Sequence, residues 1–375
     1  MSCSKELVEL DGEKRYAMFP IKRWTEWEFY KKMQELFWVE EEIDKELEKD
    51  KKDWETLDRK IKRFLKRILA FFAVSDGIVA ENLGKEIMNR IKVREIGICY
   101  NFQIAMEDIH NIVYSKLIDT YIRNERKKNK MFNAIENYPT VSKKIQWIRK
   151  WIGVETEINK LSENNKEALL KLEKIYNTVK QLEAPEHPAI ENLFKELHTE
   201  RPTLAREILV NTIMEGLFFS GSFCAIYWIY NNYKKLPGLS KANEFISRDE
   251  GMHTDFGISM YNSCKNRLSE SEVYEIISEA VDIETEFICD ALPEGLLGMN
   301  SNLMTQYIQF VADQLLLDMR YNKLFNVANP FSFMKKQSIG VRISDFFTDG
   351  NVSEYGHHAV GKTVDDQSVD FSEDF

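Results

Sequence analysis

From about Arg23 to Val327, apolar positions recur at three- and four-residue intervals, the spacing that lines one face of an α-helix. The pattern predicts a helix in WTEWEFYKKMQELFW, a charged stretch of turn character in EEEIDKELEKDKKDWETL, and a long helix through IKRFLKRILAFFAVSDGIVAENLGKEIMNRI. A second long helix follows over 96–123. KKIQWIRKWIG makes a shorter one, with Gly153 as its C-cap. Residues 204–231 read as a single, very apolar helix, PGLS (237–240) as a turn, and KANEFISRDEGMHTDFGISMYNSC as helix again. SESEVYEIISEAVDIETEFICDAL and MTQYIQFVADQLLLDMRYNKLF complete the set. With 16 Gly and 8 Pro in 375 residues, turn formers are scarce, which favours long helices over strands; an all-α fold is expected.

Two regions break the pattern. Residues 155–203 are polar and charged, with an amphipathic run in LLKLEKIYNTVKQL and a Pro-flanked turn at APEHP, and read as a helical insertion on the surface. After Asn329-Pro330 the periodicity dissolves, and the sequence ends acidic in DDQSVDFSEDF. The expected organisation is one helical domain over 1–330 and an extended or disordered tail over 331–375.

With a net charge of −10, the protein is a poor grip for nucleic-acid phosphates. The basic run RNERKKNK (123–130) reads as a solvated turn. Five scattered cysteines (Cys3, Cys99, Cys224, Cys264, Cys289) with no CxxC suit free thiols in a reducing compartment. The first fifteen residues have no apolar signal core. The segment 208–230 has the length of a membrane span but carries Glu215 near its middle, so it reads as a buried core helix. A soluble, cytoplasmic protein without membrane or nucleic-acid partners is expected.

The chemistry lies in acids that interrupt apolar helices. Asp76 is the only charge between Arg67 and Glu81, and Glu215 the only one between Glu207 and Lys234. Glu107 with His110, and Glu250 with His253, are Glu-x-x-His pairs on two further helices. A third Glu-x-x-His, Glu354–His357, sits beside Gly in the tail and is dismissed as chance. An ionised carboxylate in a dry core costs several kcal/mol even after relaxation. Four unpaired ones would consume most of the ~5–15 kcal/mol that holds a domain together. The apolar faces offer few Arg or Lys partners, and neutralising all four by protonation at neutral pH is unfavourable. Two divalent ions would balance four carboxylates. A bundle in which two helices give one carboxylate each and two others give Glu-x-x-His is a di-metal arrangement. The candidate ligands are therefore Asp76, Glu107, His110, Glu215, Glu250 and His253, and their oxygen and imidazole donors suit iron or manganese. Tyr114 lies one turn beyond His110 on the same face. Phe219 and Phe223 share the face of Glu215, and Ile246 precedes Glu250 by four; together they would wall Tyr114 in a dry apolar cage of the kind a long-lived oxidised tyrosine needs.

LAFFAVSDGIVAENL, FQIAMEDIHNIVYSKLIDTYI, EGLFFSGSF, NEFISRDEGMHTDF, LLGMNSNLMTQYIQFVADQLL and VANPFSFM together resemble the small, radical-generating subunit of class I ribonucleotide reductases of the eukaryotic type. The resemblance covers most of 16–153 and 204–375. It implies a ferritin-like helical bundle with two iron ions per chain, manganese being the alternative. It also implies activation of dioxygen, a stable radical on Tyr114, a homodimer, and passage of the radical to a large catalytic subunit that reduces ribonucleotides. On the same resemblance, Trp38, Asp249 and His110 carry the radical, Arg248 neighbours them, and Tyr355 hands it across the interface. The C-terminus, with Phe371 and Phe375 as anchors, docks on the large subunit; Val369 stands where a bulkier aromatic is usual. Two rivals stand beside this reading. Another ferritin-like di-metal oxidase would share the ligands but give no reason for Trp38, Tyr355 and the tail. A metal-free structural paralogue should have lost ligands that this sequence keeps.

Overall fold

The computed structural model describes residues 15–152, 203–292 and 299–334. The body of the 155–203 insertion, Gly153, Tyr355, Val369, Phe371, Phe375 and the Glu354–His357 pair lie outside the described residues.

Among the described residues every regular element is helical. The principal helices are α1 (Trp24–Glu35), α2 (Asp44–Thr56), α3 (Arg59–Asn82), α4 (Arg94–Tyr121), α5 (Glu125–Phe132), α6 (Pro139–Ile152), α7 (Leu204–Ile213), α8 (Ser220–Tyr233), α9 (Pro237–Ser263), α10 (Glu270–Ala291) and α11 (Ser301–Asp318). Local chemistry sets several of their starts. Asp58, Asn124, Thr203 and Asn300 each accept a backbone N–H of the first turn, and Ser269 with Glu272 forms a capping box before α10. The architecture is a ferritin-like bundle: α3 packs along α4, α7 and α8 along α9, α10 along α11, with α1 and α2 laid on α4 and α9.

Four details depart from the sequence pattern. The charged stretch read as a turn is a 3-10 turn (Glu40–Ile43) followed by α2, because Leu47, Asp50 and Trp54, at i, i+3 and i+7, bury one face. RNERKKNK is mostly helical, with Asn124 capping α5. PGLS opens α9: Pro237 occupies its first turn, where a missing N–H costs nothing. The Gly238 and Leu239 N–H groups donate to the Asp50 carboxylate at 2.8 Å each, and a Cβ on Gly238 would lie 2.6 Å from Leu47 Cα, so α2 approaches this closely only over glycine. Finally, the apolar 204–231 helix is broken by a π-helical turn, Met214–Phe218, between α7 and α8. The 18-residue window of it that is apolar enough for a membrane is entirely buried inside the bundle, as a core helix requires.

Candidate metal centre

Asp76 comes from α3, Glu107 and His110 from α4, Glu215 from the π turn, and Glu250 and His253 from α9. All six are buried. Donor atoms of Glu107, Glu215, Glu250 and His253 gather in one group that could hold a metal ion, and those of Asp76, Glu107 and His110 in a second, each within 4.8 Å of one another. Glu107 belongs to both. Its Oε2 lies 3.5 Å from His110 Nδ1 and its Oε1 3.0 Å from His253 Nδ1. Glu250 divides itself in the same way, with Oε1 3.1 Å from His110 Nδ1 and Oε2 3.5 Å from His253 Nδ1. Two carboxylates thus span two adjacent positions, one beside each imidazole.

Other buried acids in the bundle have evident compensation. Glu95 pairs with Arg15 (2.6 Å), Glu207 with Arg90 (2.9 Å), and Glu26 with Arg23. Asp313 accepts the backbone N–H groups of Leu324 and Phe325, and Asp50 those noted above plus the Tyr121 hydroxyl. The ligand set has no Lys or Arg against it among the described residues. Both oxygens of Glu107 and Glu250, Asp76 Oδ2, Glu215 Oε2 and the Nδ1 atoms of both histidines find no hydrogen-bond partner. Buried polar atoms left this way cost free energy unless something else binds them. Oxygen and imidazole donors aimed at a common space fit two divalent ions.

Proton chemistry tells the same story. Burial, reinforced by the Glu107 charge, pushes Asp76 well above the usual carboxylate range. Burial also raises Glu215, against the pull of His253. Burial alone would lift Glu107, but the two facing imidazoles outweigh it and hold it at about 2. Burial works against a charge on His110 and His253, yet the surrounding carboxylates raise both well above the ordinary histidine value. In the absence of metal, protons hold the charges in balance.

Around the ligands the fold builds two further features. Gln103 and Asn211 both donate to Glu215 Oε1, at 2.6 and 2.7 Å, leaving Oε2 to face His253. Asp249 Oδ2 accepts from Trp38 Nε1 at 2.6 Å and lies 3.1 Å from His110 Nε2. That contact ties His110 Nε2 to an outer carboxylate and leaves Nδ1 turned toward the ligand carboxylates. Arg248 donates to the Leu36 carbonyl and lies 3.6 Å from Asp249 Oδ1.

Tyr114 is buried, as are Phe219, Phe223 and Ile246. The ring stacked on Tyr114 is none of these but Phe72, at 4.6 Å, which also packs on Phe219 and Phe223 at 5.6 and 5.2 Å. Sequence reasoning missed Phe72, although it stands one turn before Asp76 on the same helix face. It missed Gln103 and Asn211 as well, each one turn before a ligand (Glu107 and Glu215).

The ribonucleotide reductase small-chain family matches residues 15–330. A ribonucleoside-diphosphate reductase small subunit of Arabidopsis thaliana is 40% identical over 351 residues, covering 93% of this protein and 90% of the relative. Subunit M2 of the Rattus norvegicus enzyme is 38% identical over 374 residues, covering 100% of this protein and 83% of the relative. Among solved structures, the ribonucleotide reductase Rnr4 homodimer of Saccharomyces cerevisiae superposes with a TM-score of 0.70 at 29% identity, over 91% of this protein and 92% of that one.

Proposed function

This chain belongs to the ribonucleotide reductase small-chain family, and from that premise we propose that its buried centre generates and stores a radical on Tyr114 for a large catalytic partner. As a ribonucleoside-diphosphate reductase small subunit it serves an oxidoreductase that makes deoxyribonucleotides. The observation that carries the reading is the pair of split carboxylates, Glu107 and Glu250, set between two inward-facing imidazoles. Asp76, Glu107 and His110 would hold one ion, and Glu107, Glu215, Glu250 and His253 the other. Iron is the metal proposed; when bound it supplies the activation of dioxygen.

The protein's own residues supply the rest. Phe72 stacks on Tyr114, and Phe219 and Phe223 pack on Phe72 in turn, so the ring laid against the phenol offers neither a proton nor an electron to an oxidised tyrosine. Trp38 is buried, but its neighbours Phe37 and Val39 are exposed, so the indole lies just beneath the surface. Its ring stacks near His110 at 6.0 Å. When Trp38 gives up an electron toward the centre, its indole proton becomes acidic, and Asp249 Oδ2 at 2.6 Å is placed to take it. Asp249 therefore couples the surface to His110 through two contacts on one oxygen. Tyr355 and the tail anchors Phe371 and Phe375 complete the proposed route and docking on the large subunit. The small subunit itself is proposed to work as a homodimer in the cytoplasm, where Cys99, Cys224, Cys264 and Cys289 stay as free thiols.

The test is electron paramagnetic resonance on full-length protein loaded anaerobically with Fe(II) and then exposed to oxygen. A tyrosyl signal is expected, and Tyr114→Phe should abolish it while two metals per subunit remain. A signal of the same shape in that variant would put the radical on another residue.

A further inference from the structure

One buried charge pair stands outside the metal centre. Lys144 on α6 and Glu284 on α10 are each 0% exposed, and their ammonium and carboxylate form an ion pair. The ammonium also sits over the rings of Phe71 and Phe287, 3.7 and 3.9 Å from their centroids. Its remaining polar partner is the Phe218 carbonyl, to which Lys144 Nζ donates at 3.0 Å. Burial pushes Lys144 down to about 8 and Glu284 up to about 7. A pair taken this far out of water is weak evidence for stability, because well-packed apolar residues in its place are often as stable or more so.

Its location supplies a different reason. Phe218 closes the π turn Met214–Phe218, in which Glu215 is the second residue. A π turn interrupts the regular i→i−4 ladder, and such turns recur at functional sites. Lys144 gives the closing carbonyl a donor from another helix. Glu284, which holds Lys144, lies against the first turn of α8: a Cβ on Gly221 would come within 2.7 Å of its Oε1. The pair therefore touches the end of the π turn through the lysine and the start of the following helix through the glutamate. Gln103 and Asn211 orient the Glu215 carboxylate through their side chains, whereas the pair acts at the far end of the turn.

We propose that the Lys144–Glu284 pair is a positioning device for Glu215, pinning the wide turn so that this carboxylate is already aimed at the metal centre before an ion arrives. The proposal rests on the reading of Glu215 as a ligand. Neither Lys144 nor Glu284 touches the ions' position; both act through the backbone.

The test uses the full-length protein and its double variant Lys144→Met/Glu284→Leu, which removes both charges together. Each is titrated anaerobically with Fe(II) alone by equilibrium dialysis and calorimetry, and the Tm of the metal-free protein is measured in parallel. A Tm at or above the parent's is expected, with Fe(II) affinity at one of the two positions weakened about 10–100-fold, the usual effect of losing an outer-shell support. Glu284→Gln keeps the volume and leaves Lys144 in place; it should shift affinity the same way by less, and it supplies the answer if the double variant does not fold. Parent affinity in the variants, with or without a lower Tm, would make the pair purely structural and overturn the proposal. A parent protein that takes up no Fe(II) would bring down the metal reading together with this one. A parent that binds two ions alongside unaffected variants would sink this one alone.

Discussion

Two sets of fully buried charge lie in the same bundle and are balanced in opposite ways. Lys144 and Glu284 carry their own neutralisation: one cation, one anion, a backbone carbonyl and a box of aromatic rings. Asp76, Glu107, Glu215 and Glu250 have no Lys or Arg facing them among the described residues, only two imidazoles and a space between. The first set is complete as folded and can serve as framework. The second is incomplete, and an incomplete set of buried acids is what marks a binding site. Burial alone does not separate them, since all six residues are almost wholly inaccessible. Whether the compensating charge belongs to the protein does.

The contrast can be broken most directly at Lys144. Lys144→Met leaves Glu284 buried alone and should cost about 3 kcal/mol of unfolding free energy, the lower end for a broken buried pair, because Glu284 can take up a proton. Urea unfolding of the metal-free protein measures it. A cost near zero would show that the pair is not held as a unit. Glu215→Gln should do the reverse in metal-free protein. It removes an acid that burial disfavours while keeping an oxygen for Gln103 and Asn211, so Tm should hold or rise while metal uptake falls. A large drop in Tm would mean that the carboxylate is structural.

The pH dependence gives a finer distinction. His110 and His253 have folded values raised above the ordinary 6.5, so the stability they confer on metal-free protein is fully present below 6.5 and lost as pH rises through the folded values. Asp76 and Glu215, also raised, act in the same direction from the usual carboxylate range upward. Metal-free protein should therefore lose stability as pH climbs above 6.5, whereas Fe(II) affinity should grow because the displaced protons leave more readily. Thermal scans and anaerobic titrations at matched pH check whether the slopes oppose. The smallest effect is expected at Lys150, whose exposed pair with Glu279 joins the same two helices as Lys144 and Glu284. Lys150→Ala should change unfolding free energy by no more than about 0.5 kcal/mol.

Much of the site was legible in the sequence because an acid within an apolar run is conspicuous. Asp76, Glu107, Glu215 and Glu250 stand out against their neighbours, and the structure brings them and the two histidines together. Lys144 was not legible in that way. It sits in SKKIQWIRK, where Lys143, Arg149 and Lys150 make the stretch look solvated. Only its phase betrays it: Val141, Lys144, Ile145 and Ile148 share one buried stripe. The π turn was hidden for another reason. Its residues, MEGLF, fit an ordinary helix by composition, and the lysine that donates to its closing carbonyl lies on a distant helix. PGLS, read as a turn, is the start of α9, and its first N–H groups depend on a partner (Asp50) nearly two hundred positions earlier.

The divided carboxylates also bear on how the centre fills. Glu107 and Glu250 each have one oxygen committed to either side. Once a cation settles beside one histidine, the far oxygen of each acid is already pointed at the vacant neighbour. Occupancy should then advance in twos, with half-filled subunits scarce at every stage of loading.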